Sequence, residues 1–205
     1  MSQIKAIIFD ADDVLIIKPK RFSQCLEEDY GIKKSVTSDF FKKDFQNCLV
    51  GKSDLKKELE KHIKEWGWKG SVDELLAYWF KVENHINDRL VQFIEELKSM
   101  KIRCFMGTNN EIYRTKYLES EMFNSVFDKI FSSARLGCKK PETRFFEKVF
   151  AEISKNSKIT KTEILFVDDD PENIDAAKSF GFQTFLYKAF PDFKQSVGIR
   201  KLYKQ

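Results

Sequence analysis

Four short apolar runs are spread along this chain, and stretches with helical periodicity separate them. Each run is long enough for one strand, and a strand buried on both faces reads as a continuous apolar segment rather than an alternating one. The runs lie at 4–9, 102–106, 164–167 and 184–187. Strands that alternate with helices predict an α/β fold in which a parallel sheet carries helices on both faces.

The segments between the runs show regular helical stripes. One stripe repeats at spacings of four and three, which places its members on a single helical face: Leu90, Ile94 and Leu97. A second stripe follows Pro141, a residue favoured near a first helical turn, and comprises Phe145, Phe146, Val149, Phe150 and Ile153. After the third run, residues 171–180 predict a helix that ends at Gly181, a usual C-cap residue.

Residues 18–87 interrupt this alternation of strands and helices. They contain no convincing strand, but they show a capping box at 71–74 and helical stripes such as Leu55, Leu59 and Ile63. We therefore predict a small all-helical subdomain, 18–87, inserted into a core that is formed by residues 1–17 and 88–205.

Composition argues against several classes of protein. The 205 residues carry 36 basic and 32 acidic side chains, a net charge of +4, without the compact basic stripe typical of nucleic-acid binding. The longest apolar run, 75–80, is too short to span a membrane, and three aspartates stand where a secretory signal would be apolar. Four cysteines without a C-x-x-C pair indicate a reduced protein with no zinc site. We expect a cytoplasmic protein that binds neither membranes nor nucleic acids.

Polar and charged side chains follow the predicted strands. The first run is followed by Asp10, Asp12 and Asp13, and the second by Thr108, Asn109 and Asn110. Lys139 and Lys140 precede the second helical stripe, and Asp168, Asp169 and Asp170 follow the third run. Ligands of parallel sheets bind outside the carboxyl ends of the strands. Carboxylates gathered there repel one another unless a cation lies among them. The sequence therefore predicts a cation-dependent site at this edge of the sheet.

Four segments resemble, in order, the motifs of the haloacid dehalogenase-like (HAD) hydrolase superfamily. The segment FDADDVL at 9–15 is similar to the first motif, D-x-D-x-[TV]-[LV], and Thr108 to the second, a Ser or Thr at a strand end. The pair 140–141, Lys-Pro, resembles the third motif, and DDDPEN at 168–173 resembles the fourth in its DD-x-x-x-N form. The resemblance covers residues 4–187. It implies the Rossmann-like core of that family, with the insertion as a helical cap over the site.

The resemblance also assigns roles to these residues. It implies that Asp10 attacks the phosphorus of a phosphate ester and becomes a transient aspartyl phosphate, and that Asp12 protonates the leaving group and then activates water. It implies Mg²⁺ as cofactor, bound by the carboxylates of Asp10 and Asp169 and by the backbone carbonyl of Asp12. It implies that three residues hold the phosphoryl oxygens: Thr108, Asn109 through its backbone N–H, and Lys140. It also implies that Asp168 and Asn173 support the site.

Asp12 favours a phosphatase over the dehalogenases of the family, because a halide leaves without protonation. We expect the substrate to be a small phosphorylated metabolite, with sugar phosphates first among the candidates and phosphoproteins excluded by the cap. Two alternatives stay open: a haloacid dehalogenase-type hydrolase, and a binding or regulatory protein that keeps the fold without turnover. A signalling receiver domain combines similar residues, but in a different chain order and without a helical insertion.

Five other residues receive specific predictions. We expect Asp170 to cap the helix that follows it and Asn173 to orient Asp169 or Lys140. Asn110 either contacts substrate or makes a hydrogen bond within its loop. Trp68 lies in a glycine-flanked turn and is the tryptophan we expect to face the site, while Cys138 precedes the two lysines in a loop and is expected to be exposed.

Overall fold

Five parallel strands form one sheet in the computed structural model, which describes residues 3–155, 157–196 and 199. The strands are β1 (Ala6–Phe9), β2 (Arg103–Thr108), β3 (Lys129–Ser132), β4 (Ile164–Asp168) and β5 (Gln183–Leu186). They are arranged in the order β3-β2-β1-β4-β5. The parallel sheet and its four predicted strands are confirmed, and β3 is a strand that the apolar runs did not predict.

Eleven α-helices occur in the described residues. They are α1 (Phe22–Tyr30), α2 (Lys34–Lys42), α3 (Asp44–Leu49), α4 (Leu55–Trp66), α5 (Val72–Val82), α6 (Asp88–Ser99), α7 (Ile112–Tyr117), α8 (Ser133–Leu136), α9 (Thr143–Ser154), α10 (Pro171–Phe180) and α11 (Phe190–Gln195). The predicted helix at 171–180 is confirmed as α10, whereas α9 begins two residues after Pro141 rather than at it. None of the described helices combines the length and the apolar character needed to cross a bilayer.

The sheet separates two hydrophobic cores, because side chains alternate between its faces. In β1, Ile7 and Phe9 belong to the core that contains residues of α6 and α11, and the rings of Phe9 and Phe193 lie 5.7 Å apart. Ala6 and Ile8 belong to the opposite core, which contains residues of α9 and α10. With both faces covered, the carboxyl ends of the strands are where polar side chains can gather.

Helices α1 to α5, residues 22–82, form a unit that we call the helical insertion. They enclose a third hydrophobic core, which is rich in aromatic side chains and includes Phe22, Phe40, Leu59, Trp66 and Trp79. The predicted capping box is present at the start of α5: Ser71 Oγ accepts a hydrogen bond from the Glu74 N–H, and the Glu74 carboxylate accepts one from the Ser71 N–H. At the end of α4, Gly67 has a φ of 81°, which glycine adopts without strain.

The two connections between the core and the helical insertion run side by side. Ile16 and Ile86 form an isolated antiparallel bridge, and the Asn87 N–H donates to the Leu15 carbonyl at 2.8 Å. On the core side, Tyr117 packs against the hydrophobic cluster of the insertion. The domain boundaries at 17/18 and 87/88 remain a prediction, which this pairing supports.

Two side chains lie elsewhere than expected. The Trp68 indole N–H donates to the Ser71 carbonyl at 3.0 Å, and its ring contacts Tyr30 and Tyr78 within the insertion. This packing holds Trp68 away from the predicted site. Cys138 is 1% exposed and belongs to the core on the α9 side of the sheet, so the expectation of an exposed thiol was wrong.

Candidate active site

Strand β1 lies at the centre of the sheet, with β2 on one side and β4 on the other. Asp10 directly follows β1, Thr108 ends β2 and Asp168 ends β4. Beyond Asp12, the backbone of Asp13 adopts a φ of 59°, a left-handed conformation that aspartate tolerates better than most residues. The topology thus brings the predicted motifs to one edge of the sheet.

Lys140 joins two of the predicted aspartates. Its ammonium lies 2.8 Å from Asp10 Oδ1 and 2.6 Å from Asp168 Oδ2, and its side chain is 1% exposed. Burial lowers the pKa of Lys140, but the two carboxylates outweigh burial and the resulting pKa lies above its usual value. The lysine therefore stays charged and holds Asp10 and Asp168 together.

Asn109 holds the backbone of Lys140 in place. Its Oδ1 accepts a hydrogen bond from the Lys140 N–H at 2.9 Å, and its Nδ2 donates to the Lys140 carbonyl at 3.0 Å. The sequence predicts a role for the Asn109 backbone N–H, but no local pattern indicates this role of its side chain. The contact of that N–H with phosphate stays a prediction.

Asp168 is fully buried, and both of its carboxylate oxygens are engaged. Oδ2 accepts from Lys140, while Oδ1 accepts from the Asp170 N–H at 2.9 Å and from Asn173 Nδ2 at 3.1 Å. Asn173 therefore orients Asp168 rather than the Asp169 that the sequence led us to expect, and it acts on Lys140 only through the Asp168 carboxylate. Asp170 caps α10 as predicted, because its side chain accepts a hydrogen bond within the first turn at 2.8 Å.

Asp10 is buried but keeps one carboxylate oxygen without a hydrogen bond. Lys140 and the Ala11 N–H both contact Oδ1, the latter at 2.7 Å, and Oδ2 has no partner among the described residues. Burial raises the pKa of Asp10, and the charges of Asp168 and Asp12 add to this effect. Lys140 lowers the pKa but does not outweigh them, so the resulting pKa lies above its usual value. A further cation beside Asp10 would stabilise its ionised form.

The carboxylates of Asp10, Asp168 and Asp169 could hold such a cation. Each offers an oxygen, and these oxygens lie within 4.8 Å of one another. Asp168 already uses both oxygens in hydrogen bonds, which leaves Asp10 and Asp169 as the better ligands. Burial and the charge of Asp168 raise the pKa of Asp169. Mg²⁺ binds through one or two carboxylates and keeps several waters, so this donor set fits Mg²⁺.

Asp12 faces the helical insertion and pairs with a lysine at its border. Asp12 Oδ1 lies 2.8 Å from Lys18 Nζ, and this lysine, 6% exposed, lies 3.9 Å from Glu83 Oε2. Burial raises the pKa of Asp12, but Lys18 and Arg114 outweigh it, so the resulting pKa lies below its usual value. Asp12 is therefore ionised in the free protein. No motif in the sequence pointed to Lys18 or Glu83.

Asn110 connects two of the predicted site residues. Its Nδ2 donates to Thr108 Oγ1 at 2.6 Å and lies 3.4 Å from Asp12 Oδ2. Of the two roles open from the sequence, the structure shows the hydrogen bond within the loop. Because the Thr108 hydroxyl accepts this bond, its own proton can be donated elsewhere.

A cavity of about 260 Å³ lies between this edge of the sheet and the helical insertion. The core contributes Asp12, Asn109 and Asn110 to its wall, and the insertion contributes mostly aromatic side chains. A larger cavity of about 770 Å³ lies beside β3 and contains none of the predicted site residues. The smaller cavity is therefore the one that adjoins the candidate chemistry.

A parallel core with an inserted helical unit, and with four polar motifs gathered at the carboxyl edge of its sheet, is typical of one class of hydrolase. The model of the haloacid dehalogenase-like hydrolase family matches residues 4–181. The chain belongs to this family, as the order of its four motifs predicted.

Two curated phosphatases match parts of the chain. A sesquiterpene phosphatase from Aspergillus oryzae is 32% identical over 96 residues, which are 45% of this chain and 46% of that protein. A D-ribitol-5-phosphate phosphatase from Bacteroides thetaiotaomicron is 27% identical over 135 residues, 63% of this chain and 64% of that protein. The matched segment is thus less than two thirds of the length of either relative.

Solved structures resemble nearly the whole chain. A HAD family enzyme from Bacteroides thetaiotaomicron superposes with a TM-score of 0.79 at 20% identity, over 94% of this chain and 98% of that one. The complex of the same enzyme with magnesium and inorganic phosphate gives 0.76 at 21% identity, over 91% and 96%. At these identities the similarity establishes the shared fold.

Proposed function

We propose that the protein is a Mg²⁺-dependent phosphatase that hydrolyses a small phosphomonoester through an aspartyl phosphate on Asp10. One observation carries this proposal. Among the described residues, the buried Asp10 carboxylate keeps an oxygen without a hydrogen bond beside the Lys140 ammonium, and Asp12, two residues further on, lines the cavity. Phosphoryl transfer depends mainly on positioning and charge neutralisation, and this arrangement provides both.

In the first step, Asp10 is the nucleophile. A carboxylate oxygen of Asp10 attacks phosphorus, a new P–O bond forms, and the P–O bond to the leaving alcohol breaks. Lys140 and the Thr108 hydroxyl stabilise the charge on the phosphoryl oxygens. The leaving alkoxide takes a proton from Asp12. A phosphate group beside Asp12 opposes the effect of Lys18 and raises the pKa of Asp12, so the acid takes up its proton from solvent as substrate binds.

In the second step, Asp12 acts as a base. It takes a proton from the water that attacks the phosphorus of the aspartyl phosphate. The bond between phosphorus and the Asp10 oxygen then breaks, which releases inorganic phosphate and restores the Asp10 carboxylate. Lys18, 2.8 Å from Asp12, favours the ionised form of Asp12 that this step needs.

Asp10, Asp169 and the backbone carbonyl of Asp12 would hold Mg²⁺, which, when bound, supplies positive charge to the transferring phosphoryl group. Asp168 and Asn173 support the reaction by fixing the Lys140 ammonium. We propose that residues 18–87 act as a cap that closes the cavity and excludes water during transfer.

The comparisons support the choice of reaction. Both curated relatives are named as phosphatases, one of a sesquiterpene and one of D-ribitol 5-phosphate. The solved neighbour was crystallised with magnesium and inorganic phosphate. These names agree on phosphate ester hydrolysis and differ in the alcohol that is released.

Phosphate release from p-nitrophenyl phosphate tests the proposal. We expect activity with Mg²⁺, loss of activity in excess EDTA, and a loss of at least about 10³-fold in Asp10→Asn, because an amide cannot attack phosphorus. Asp13→Asn is the matched control, since Asp13 carries the same group in the same loop and pairs with Arg21 at 3.2 Å. Activity that survives in Asp10→Asn or in EDTA would refute the mechanism.

A further inference from the structure

We infer that the substrate of this site carries a predominantly apolar leaving group, an alkyl or arylalkyl alcohol of about eight non-hydrogen atoms, rather than a polyol. The inference rests on the proposed function, because it concerns the cavity that adjoins Asp12. Asp12 lies in the cavity wall, and it is the residue that protonates the leaving oxygen. The rest of the leaving group must therefore occupy this cavity.

The part of the cavity wall that the helical insertion contributes is largely apolar. Five side chains of the helical insertion line it: Phe22, Phe41, Phe45, Leu49 and Trp79. Three of them, at positions 41, 45 and 49, follow one another at intervals of four along α2 and α3, and each keeps part of its surface exposed. An exposed apolar surface inside a cavity gains free energy when an apolar group covers it.

The aromatic side chains of this wall pack against one another. Phe22 and Trp79 stack with their ring centres 4.5 Å apart and their planes at 14°. Phe41 and Phe45 contact the Trp79 ring at 5.5 Å and 5.6 Å. Because the rings hold one another in place, binding an apolar group does not require ordering of the wall, which favours affinity.

The polar side chains of the wall are engaged with other protein groups. The pairs are Lys18 with Asp12, Glu83 with the Phe22 N–H, Asn109 with the Lys140 backbone, Asn110 with Thr108, and Arg21 with Asp13. Ser23 adds a hydroxyl. A polyol that leaves water needs a hydrogen-bond partner for each of its hydroxyls, and each unpaired one costs affinity. The apolar part of this wall offers a polyol no such partners.

The volume of the cavity sets the size of the group. A water-sized group takes roughly 30 Å³, so a cavity of about 260 Å³ holds roughly eight or nine non-hydrogen atoms. A linear alkyl chain of six to eight carbons, or a phenylethyl group, fits this space.

A series of alkyl phosphates tests the inference on the Mg²⁺-loaded protein. Each buried methylene should raise kcat/KM about fourfold, so hexyl phosphate should exceed methyl phosphate by at least about 100-fold. It should also exceed erythritol 4-phosphate, whose polyol has eight non-hydrogen atoms and so fits the cavity, by at least about tenfold. Equal or faster hydrolysis of erythritol 4-phosphate would overturn the apolar leaving group and leave the phosphatase proposal intact.

Substitutions in the cavity wall test whether its side chains cause the preference for hexyl over methyl phosphate. Phe45→Ser should lower the ratio of hexyl to methyl phosphate turnover at least about tenfold. Val36→Ser is the control: Val36 is a 42% exposed apolar residue of α2 outside the cavity lining, and its replacement should leave the ratio unchanged. A ratio that Phe45→Ser does not alter would overturn the assignment of this wall to the leaving group.

Binding of phosphonates, which are not hydrolysed, separates this inference from the proposed function. By calorimetry with Mg²⁺, hexylphosphonate should bind at least about tenfold more tightly than methylphosphonate. Equal binding of the two would refute the apolar site whether or not the protein turns over an ester. Absence of turnover with every ester would instead refute the phosphatase, and the leaving group with it.

Discussion

The carboxyl edge of the sheet and the helical insertion are stabilised by different interactions. At the sheet edge, Lys140 bonds to two buried aspartates, and Asn109 holds its backbone. In the insertion, aromatic and aliphatic side chains form the core, while ion pairs such as Lys56 with Asp73 lie at the surface. A buried charge that loses its partner is strongly destabilising, whereas an apolar core tolerates substitutions in a graded way. Changes at the sheet edge should therefore affect both turnover and stability, whereas changes in the core of the insertion should affect stability alone.

Replacing Lys140 is expected to have the largest effect. Lys140→Met leaves Asp10 and Asp168 buried without their counter-charge, which should cost about 3–5 kcal/mol of stability and lower p-nitrophenyl phosphate turnover roughly 10³-fold. Chemical denaturation and initial rates measure the two quantities. The adjacent Lys139, which contacts Gln46 of the insertion at 2.6 Å, is the control. Comparable losses of stability and turnover in Lys139→Met would show that the effects of Lys140→Met do not come from its pairs with the buried aspartates.

A cavity in the insertion core should affect stability alone. Leu59 is fully buried in α4, and Leu59→Ala should cost about 2–5 kcal/mol while changing p-nitrophenyl phosphate turnover less than about twofold below the melting temperature. Val36→Ala, at an exposed position of α2, should change neither quantity. A parallel loss of turnover in Leu59→Ala would show that the insertion core also positions the catalytic groups.

The amide of Asn109 tests whether a neutral side chain at the sheet edge matters for chemistry. Asn109→Ala removes both hydrogen bonds to the Lys140 backbone and should lower kcat roughly 10- to 100-fold. Its stability cost should be about 1–3 kcal/mol. Asn124→Ala provides the control, because Asn124 only accepts from its neighbour Ser125 at 3.2 Å. Unchanged kcat in Asn109→Ala would remove Asn109 from the positioning of Lys140.

The smallest effects come from two helix caps, one in each region. Ser71→Ala in the insertion and Asp170→Ala at the sheet edge each lose a side-chain cap and should cost about 1 kcal/mol. Only Asp170→Ala should slow turnover, by less than about tenfold, because loss of the cap loosens the turn whose residue-170 N–H, kept in the variant, holds Asp168. Thermal melts and initial rates of both variants measure these effects. An equal loss of turnover in the two variants would contradict the expectation that the insertion affects stability alone.

The sheet and the positions of the aspartates at its edge were predictable because buried parallel strands read as apolar runs and their ends converge. The apolar runs did not predict strand β3. It is one of the two edge strands and pairs with β2, and it begins with Lys129, whose ammonium contacts Glu152 at 2.7 Å. Only Ile130 and Phe131 give it apolar character, and two residues make too short a run.

The contacts that shape the site could not be read from local patterns. Asn109 and Lys140 are 31 residues apart, and Lys18 approaches Glu83 only because the two connections of the insertion run together. The tryptophan next to the site is Trp79, on the buried face of α5, and not a tryptophan in a turn. These pairings depend on how the insertion packs on the core, which periodicity and motif spacing do not specify.

The central claim is that Asp10 carries the phosphoryl group during turnover. Rapid quenching of Asp12→Asn with p-nitrophenyl phosphate and Mg²⁺, followed by borohydride, reduces an aspartyl phosphate to homoserine, which peptide mass spectrometry locates. The activated aryl ester needs little protonation, so the variant should form the intermediate and hydrolyse it slowly. We predict homoserine at position 10, only with substrate and Mg²⁺ present. Homoserine at another position, or its absence during measurable turnover, would contradict the mechanism.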